Sequence, residues 1–328
     1  MIIRSLAKTC LASAYTWSGA SHWFSRTDPK ANPFIVGYHR VVQDFGEAAR
    51  RTIPAMLISS RTFEKHLDWL GRRFNLVSLD EIGLHLENDR PFKRPTAAIT
   101  FDDGYADVYH NALPILKRKG IPSAVFVVTD LIDTQQPQIH DRLYACLAHT
   151  GASAFSTMTS MLTQMPQSDI LDRLQELALH SRLDENHLHE FLPLTWKMIE
   201  EMERSGVTIG SHTKSHVLLT SENLESAQHQ LLESKRVLES RLKHSINHLA
   251  YPDGRFNRPV LEAVQKAGYR FAYTICGTRD EKFPLFTISR KILWEKACEN
   301  VLGRFSAAVM NCQTAGIFDG NGACTHIH

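Results

Sequence analysis

Apolar residues along the chain fall into short strand-like runs separated by longer amphipathic stretches. Phe34 to Tyr38 is the first clear strand, and Ala97 to Phe101 is another that stops at Asp102-Asp103-Gly104. Between them, Phe63, Leu67 and Leu70 predict a helix over Arg61 to Phe74, and Leu79 to Leu86 predicts a second. Tyr105 to Arg118 returns to a helical pattern ended by Gly120 and Pro122, ahead of a strand at Ala124 to Val128. Strand and helix alternating in this way argue for a mainly parallel sheet with crossover helices. The alternation then pauses. Residues from about 133 to 193 read as an inserted helical segment, with Ile170, Leu171, Leu174 and Leu177 as one stripe. Beyond it come a helix at Trp196 to Ser205, a strand at Val207 to Ile209, and a long helix over 222–243. Strands at His248 to Tyr251, Phe271 to Ile275 and Thr287 to Leu293, with a helix at Pro259 to Ala267, complete the set. Residues 1–33 and 300–328 carry little periodicity, so one domain is expected over 34–299.

Length and composition narrow the picture. A chain of 328 residues is long for one domain, but barrel-type α/β folds reach that size. A hydrophobic fraction of 43% excludes wholesale disorder. With 37 Lys and Arg against 35 Asp and Glu, the net charge of +2 does not suit a nucleic-acid binder. No apolar run reaches the roughly 18–20 residues of a membrane span, which leaves peripheral membrane contact open. The six cysteines form no CxxC pair and read as free thiols of a reducing compartment. The stretch from Leu11 to Gly19 faintly resembles an export signal but is broken by Ser13, Thr16 and Ser18. A cytoplasmic location is the expectation. The 17 histidines direct attention to metal-ligand spacing.

Two segments carry the chemistry. In Thr100-Phe101-Asp102-Asp103-Gly104-Tyr105, two adjacent carboxylates end an apolar strand, where burial without partners is costly. Gly104 permits a turn that lets both reach one site. A turn that merely caps the next helix would look the same. In Gly210-Ser211-His212-Thr213-Lys214-Ser215-His216, two imidazoles four residues apart follow another strand. On a helical turn they would share a face, and Asp103 would supply a third ligand with a position left open for water. His244 and His248 repeat the spacing with no carboxylate motif beside them, so the spacing alone decides little.

Together these segments resemble the polysaccharide deacetylase (NodB-homology) family, also called carbohydrate esterase family 4. Its TFDDG and H[ST]xxH signatures match Thr100 to Gly104 and His212 to His216, and its early YH pair matches Tyr38-His39. Leu194-Thr195-Trp196 leading to Ile209-Gly210 looks like the family's approach to its second motif. The resemblance implies a distorted, seven-stranded (β/α) barrel of the α/β class, here with a helical insertion. It also implies hydrolysis of acetyl groups on amino sugars. Asp103, His212 and His216 would hold a divalent metal, most often zinc, and Asp102 would be the general base. A metal that activates water and a neighbouring carboxylate that accepts a proton fit that division.

The third motif departs from the family pattern. It reads Leu249-Ala250-Tyr251-Pro252-Asp253-Gly254-Arg255, without the usual preceding Arg, and Arg290 on a late strand is the candidate replacement. The resemblance assigns the Tyr251 backbone N–H to the oxyanion. The family's late Leu-x-x-His segment has no counterpart, since His326 and His328 lie in the tail. His39 is a candidate to face the site, as proton donor or as structural support. Tyr105 and Trp196 read as packing residues. The expected substrate is an N-acetylated amino sugar or polysaccharide. The alternatives are an amide on a lipid- or nucleotide-linked sugar, or a non-catalytic sugar-binding scaffold, against which the intact Asp102 argues.

Overall fold

The computed structural model describes residues 2–18, 32–148, 154–180 and 191–318. Its centre is a run of parallel strands: β1 (Phe34–Tyr38), β5 (Thr96–Phe101), β6 (Ser123–Val127), β7 (Val207–Ser211), β8 (His248–Ala250) and β9 (Phe271–Thr274). They lie side by side in the order β9-β8-β7-β6-β5-β1. Every residue of β5 and β6 is buried, as expected of parallel strands covered on both faces. Minor strands complete the numbering: β2 (Arg40–Val42) pairs with β3 (Leu57–Ser59), and β4 (Asn75–Leu76) pairs with β5.

The segment predicted as one strand, Thr287 to Leu293, is instead split at Arg290. Its first half is β10 (Ile288–Ser289), which pairs with β9. Its second half is β11 (Lys291–Ile292), which pairs with β1 at the opposite edge. The path therefore has eight strands and not the expected seven. One extended segment reaches across the gap and nearly closes the barrel. Gly37 leaves room for the Ile292 side chain at this junction, since a Cβ there would sit 2.3 Å from Ile292 Cδ1 and displace it.

Helices surround the sheet, and polar side chains set their starts. Ser59 caps Ser60–Gly71, Ser78 caps Leu79–Glu87, Thr195 caps Trp196–Arg204, Asn223 caps Leu224–Leu242, and Asn257 caps Arg258–Lys266. The helix expected at Tyr105 to Arg118 is less regular. It opens with wide π-type turns over Val108–Ala112 and becomes α-helical at Leu113–Lys119, ending on left-handed Gly120. Pro114 lacks the N–H that an α-turn would need from it, which favours the wider winding. In the core, Tyr38, Phe63 and Phe101 meet edge-on and tilted at 5.2–5.9 Å between rings. Each such buried side chain stabilises the fold by roughly 1.5–3 kcal/mol.

The insertion forms helices at Ile139–Ala148, Ala154–Gln164 and Gln167–His180. They share a small core of Leu143, Leu147, Met158, Ile170 and Leu174 with Ile53. Leu171 departs from the predicted stripe and is exposed. Residues 149–153 and 181–190 lie outside the described set. The N-terminal segment, which shows little periodicity in sequence, contains the helix Ile2–Trp17, which packs against Ala307–Thr314 through Ala12, Val309 and Cys312. Among the described residues no helix is long and apolar enough to cross a membrane. Cys10, Cys146, Cys298 and Cys312 form no disulfide, but Cys276 is disulfide-bonded, which corrects the expectation of reduced thiols throughout. Cys324 lies outside the described residues.

Candidate active site

β5 and β7 end at the same face of the barrel, separated by β6. At the end of β5 the chain turns through left-handed backbone at Asp103 (φ 70°) and Gly104 (φ 70°). A Cβ on Gly104 would lie 3.1–3.3 Å from Val127, so the turn is closely packed as well as left-handed. Gln138, from the start of the insertion, donates to the Asp103 carbonyl at 2.9 Å and holds that turn. At the end of β7 the two histidines do not sit on a helical turn, contrary to the expectation. Thr213 and His216 are both left-handed, and side-chain hydroxyls tie the loop. The His216 N–H donates to Thr213 Oγ1 at 3.0 Å, and the Thr213 N–H donates to Ser211 Oγ at 3.1 Å. The short polar side chains stabilise a tight turn where a helix would need regular backbone bonding.

Asp103, His212 and His216 nevertheless converge. Asp103 Oδ1 lies 3.4 Å from His212 Nε2 and 3.0 Å from His216 Nε2, and the imidazole centroids are 4.9 Å apart. His212 Nδ1 donates to the Ala250 carbonyl at 2.8 Å, which orients Nε2 toward the cluster. Both carboxylate oxygens of Asp103 are buried and, among the described residues, neither accepts a hydrogen bond of good geometry. Burial pushes the Asp103 carboxyl up, but His216 and His212 outweigh it and hold the group well below the usual range. Buried ligand atoms of this kind, within 4.8 Å of one another and short of hydrogen-bond donors, fit a cation.

Asp102 points to a different partner. Its two oxygens accept from Arg290 Nη1 and Nη2 at 2.7 and 2.8 Å, a bidentate pair buried on both sides. Arg290 also donates to Thr100 Oγ1 at 3.2 Å. Burial would raise the Asp102 carboxyl, but Arg290, with His212 beyond it, holds it below its usual range. The break between β10 and β11 is what turns Arg290 inward to this position.

Among the remaining candidates, His39 is half-buried between β1 and β2. It lines the same cavity as Asp102 and Asp103, and its Nδ1 has no hydrogen-bond partner. Tyr251 also lines it, and the N–H expected at the oxyanion has a backbone partner. The Tyr251 N–H donates to the Tyr273 carbonyl at 3.1 Å, because the chain there continues the pairing of β8 with β9. His248 bonds Tyr273 and Asp80, and His244 pairs with Glu203, so neither belongs to the site.

Sequence reasoning missed His140 and Asp141. His140 Nε2 is 3.8 Å from Asp103 Oδ2 and 2.8 Å from the Tyr105 hydroxyl, which donates to Asp141 Oδ2 at 2.6 Å. Burial pushes the His140 imidazole down to about 3 and the Asp141 carboxyl up to about 6. Tyr105 is thus a buried hydrogen-bonding link and not only packing. The adjacent His140-Asp141 pair at the head of an amphipathic helix was the one available signal. Trp196 stays a packing residue, with the Arg241 guanidinium over its ring.

The family model for polysaccharide deacetylase matches residues 89–272. The chain belongs to that family. A poly-beta-1,6-N-acetyl-D-glucosamine N-deacetylase of Staphylococcus epidermidis is 23% identical over 254 residues, covering 75% of this chain and 73% of that protein. Among solved structures, IcaB from Ammonifex degensii superposes with a TM-score of 0.59 at 18% identity, covering 86% of this chain and 97% of that one. The Streptococcus pyogenes deacetylase PplD, solved in complex with acetate, gives 0.57 at 19%, covering 84% and 96%. These likenesses agree with the α/β barrel described above.

Proposed function

We propose that this polysaccharide deacetylase family member hydrolyses the acetamide of an N-acetylated amino sugar and releases acetate. One observation carries the reading: an ionised acid clamped by Arg290 stands beside the Asp103, His212 and His216 cluster in a single cavity. Those three side chains would hold a divalent metal, zinc first among the candidates. Such an ion supplies a lowered pKa for water and polarisation of the acyl carbonyl. Asp102, whose oxygens ligate nothing but Arg290 and which stays charged, takes the proton from the attacking water. His39, which lines the same cavity, is the candidate proton donor to the departing amine. His140 and Tyr105 support the Asp103 side of the cluster.

The test is acetate release from N-acetylated glucosamine and its oligosaccharides by protein loaded with zinc or cobalt. Chelation should abolish it. Asp102→Asn preserves shape and the ligand set, so metal affinity should hold while turnover falls by roughly 10²–10⁴. Asp103→Asn removes a charged ligand, so metal and activity should go together. Equal metal loss in both variants, or wild-type turnover in Asp102→Asn, would show the roles to be wrong. Metal-loaded protein that hydrolyses none of these amides would instead be a sugar-binding scaffold.

A further inference from the structure

The insertion does more than flank the site. Phe155, Met158, Leu162 and Met165 line the same cavity, of about 320 Å³, as Asp102, Asp103 and Arg290, with Met56 and Ile275 on other sides. Phe155 is 51% exposed and Ile275 43%, so two large apolar side chains lie open to solvent along this cavity. Nearby polar groups are engaged with one another. Gln167 donates to the Ser215 carbonyl at 2.7 Å and its N–H to Glu222 at 2.8 Å, while Asp253 pairs with Arg255 at 2.6 Å. Thr159 and Thr163 also line it, but their hydroxyls donate to the Phe155 and Thr159 carbonyls at 2.8 and 2.9 Å. Sugar hydroxyls need polar partners when they are taken out of water, and most of this wall is hydrocarbon and thioether.

Resting on the deacetylase reading above, we propose that the cavity takes an amino-sugar amide that carries an aliphatic chain, lodged against the methionine-rich wall of the insertion. Methionine suits an unbranched chain because it is flexible and polarizable. The chain has two possible sources with the same chemistry: a long N-acyl group, or an alkyl group on the sugar's anomeric oxygen. In either case hydrolysis adds water across the amide, giving a carboxylic acid and a free amine.

Two substrate series separate these sources with the full-length, zinc-loaded protein. The first is glucosamine N-acylated with acetyl, butanoyl and octanoyl groups. The second is N-acetylglucosamine as its methyl, butyl and octyl glycosides. The expected result is a rise in kcat/KM along one series, roughly fourfold for each buried methylene until the wall is filled. The series that responds identifies the source. In Met158→Ser, and in Phe155→Ser, whose exposed position puts folding at little risk, the long-to-short ratio should drop several-fold. A flat profile in both series overturns the proposal, and so does a preference for longer sugar oligomers over longer chains. In both of those cases hydrolysis of the short substrates leaves the deacetylase reading standing. No hydrolysis of any substrate overturns both readings.

Discussion

Arg290 reaches Asp102 with two guanidinium nitrogens inside a buried site, and that contact has a direction that can be measured. Burial favours the neutral acid while Arg290 and His212 favour the carboxylate, and the balance holds Asp102 below its ordinary range. The proton-accepting form therefore persists as pH falls. Arg290→Gln removes the guanidinium and leaves the burial, so the acid limb of the kcat/KM profile should move to higher pH. An unmoved limb would mean that Arg290 does not set the charge of Asp102. Truncating one partner of a buried pair also costs about 3–5 kcal/mol, so Arg290→Lys, which keeps the charge, serves as the better-folded companion. A second residue far from the reacting groups titrates in the same direction. Burial pushes the His66 imidazole down to about 3 from 6.5, with Tyr38 as the partner of Nδ1 and nothing bonded to Nε2. Between those two values the unfolded chain holds a proton that the folded chain lacks, so stability falls as pH drops. From pH 7 to pH 5 that loss is about 2 kcal/mol, because each pH step below the unfolded-chain value removes about 1.4 kcal/mol. Urea unfolding of His66→Leu at the two pH values should show a drop smaller by that amount, and an undiminished drop would assign the acid sensitivity elsewhere.

At the scale of elements, legibility followed the range of the forces involved. The runs ending at Phe101 and Ser211 are short, apolar and punctuated, so their strands are legible locally. The motif around Asp102 and Asp103 was readable because two acids at the end of an apolar strand need a reason to be there. The turn from His212 to His216 is not the helical one that its four-residue spacing suggests, because the hydroxyls of Ser211 and Thr213 bond its backbone. His140 stayed hidden for a different reason: its place beside Asp103 depends on how the insertion docks, which no local pattern encodes. Splitting of the last strand at Arg290 likewise depends on both sheet edges at once. The glycine of the acidic turn gives a test at this scale. Gly104→Ala must place a Cβ at positive φ and within 3.1–3.3 Å of Val127. It should destabilise the fold by more than about 1 kcal/mol and weaken metal binding through the adjacent Asp103. Unchanged zinc affinity in a folded Gly104→Ala protein would separate the turn from the ligand set.

The whole molecule is organised so that distant parts of the chain meet at one face. The proposed ligands come from the ends of β5 and β7, on either side of β6, while residues 288–293 join the sheet's outer edges and deliver Arg290 to the same place. The unfolded chain has no such arrangement, so an ion bound there favours the folded state alone. The gain follows RT ln(1 + [L]/Kd), about 2.7 kcal/mol when free metal is a hundredfold above Kd. Wild-type protein should therefore unfold at a higher temperature in zinc than in chelator, and the difference should grow with zinc concentration. Asp103→Asn should lose that dependence, because it removes the carboxylate between the two imidazoles. Asp102→Asn should keep it, although its baseline is lower from the broken Arg290 pair. The two variants thus separate metal binding from proton transfer without any substrate. A wild-type melting temperature that is the same in zinc and in chelator would show that Asp103, His212 and His216 do not form a metal site, whatever activity the protein displays.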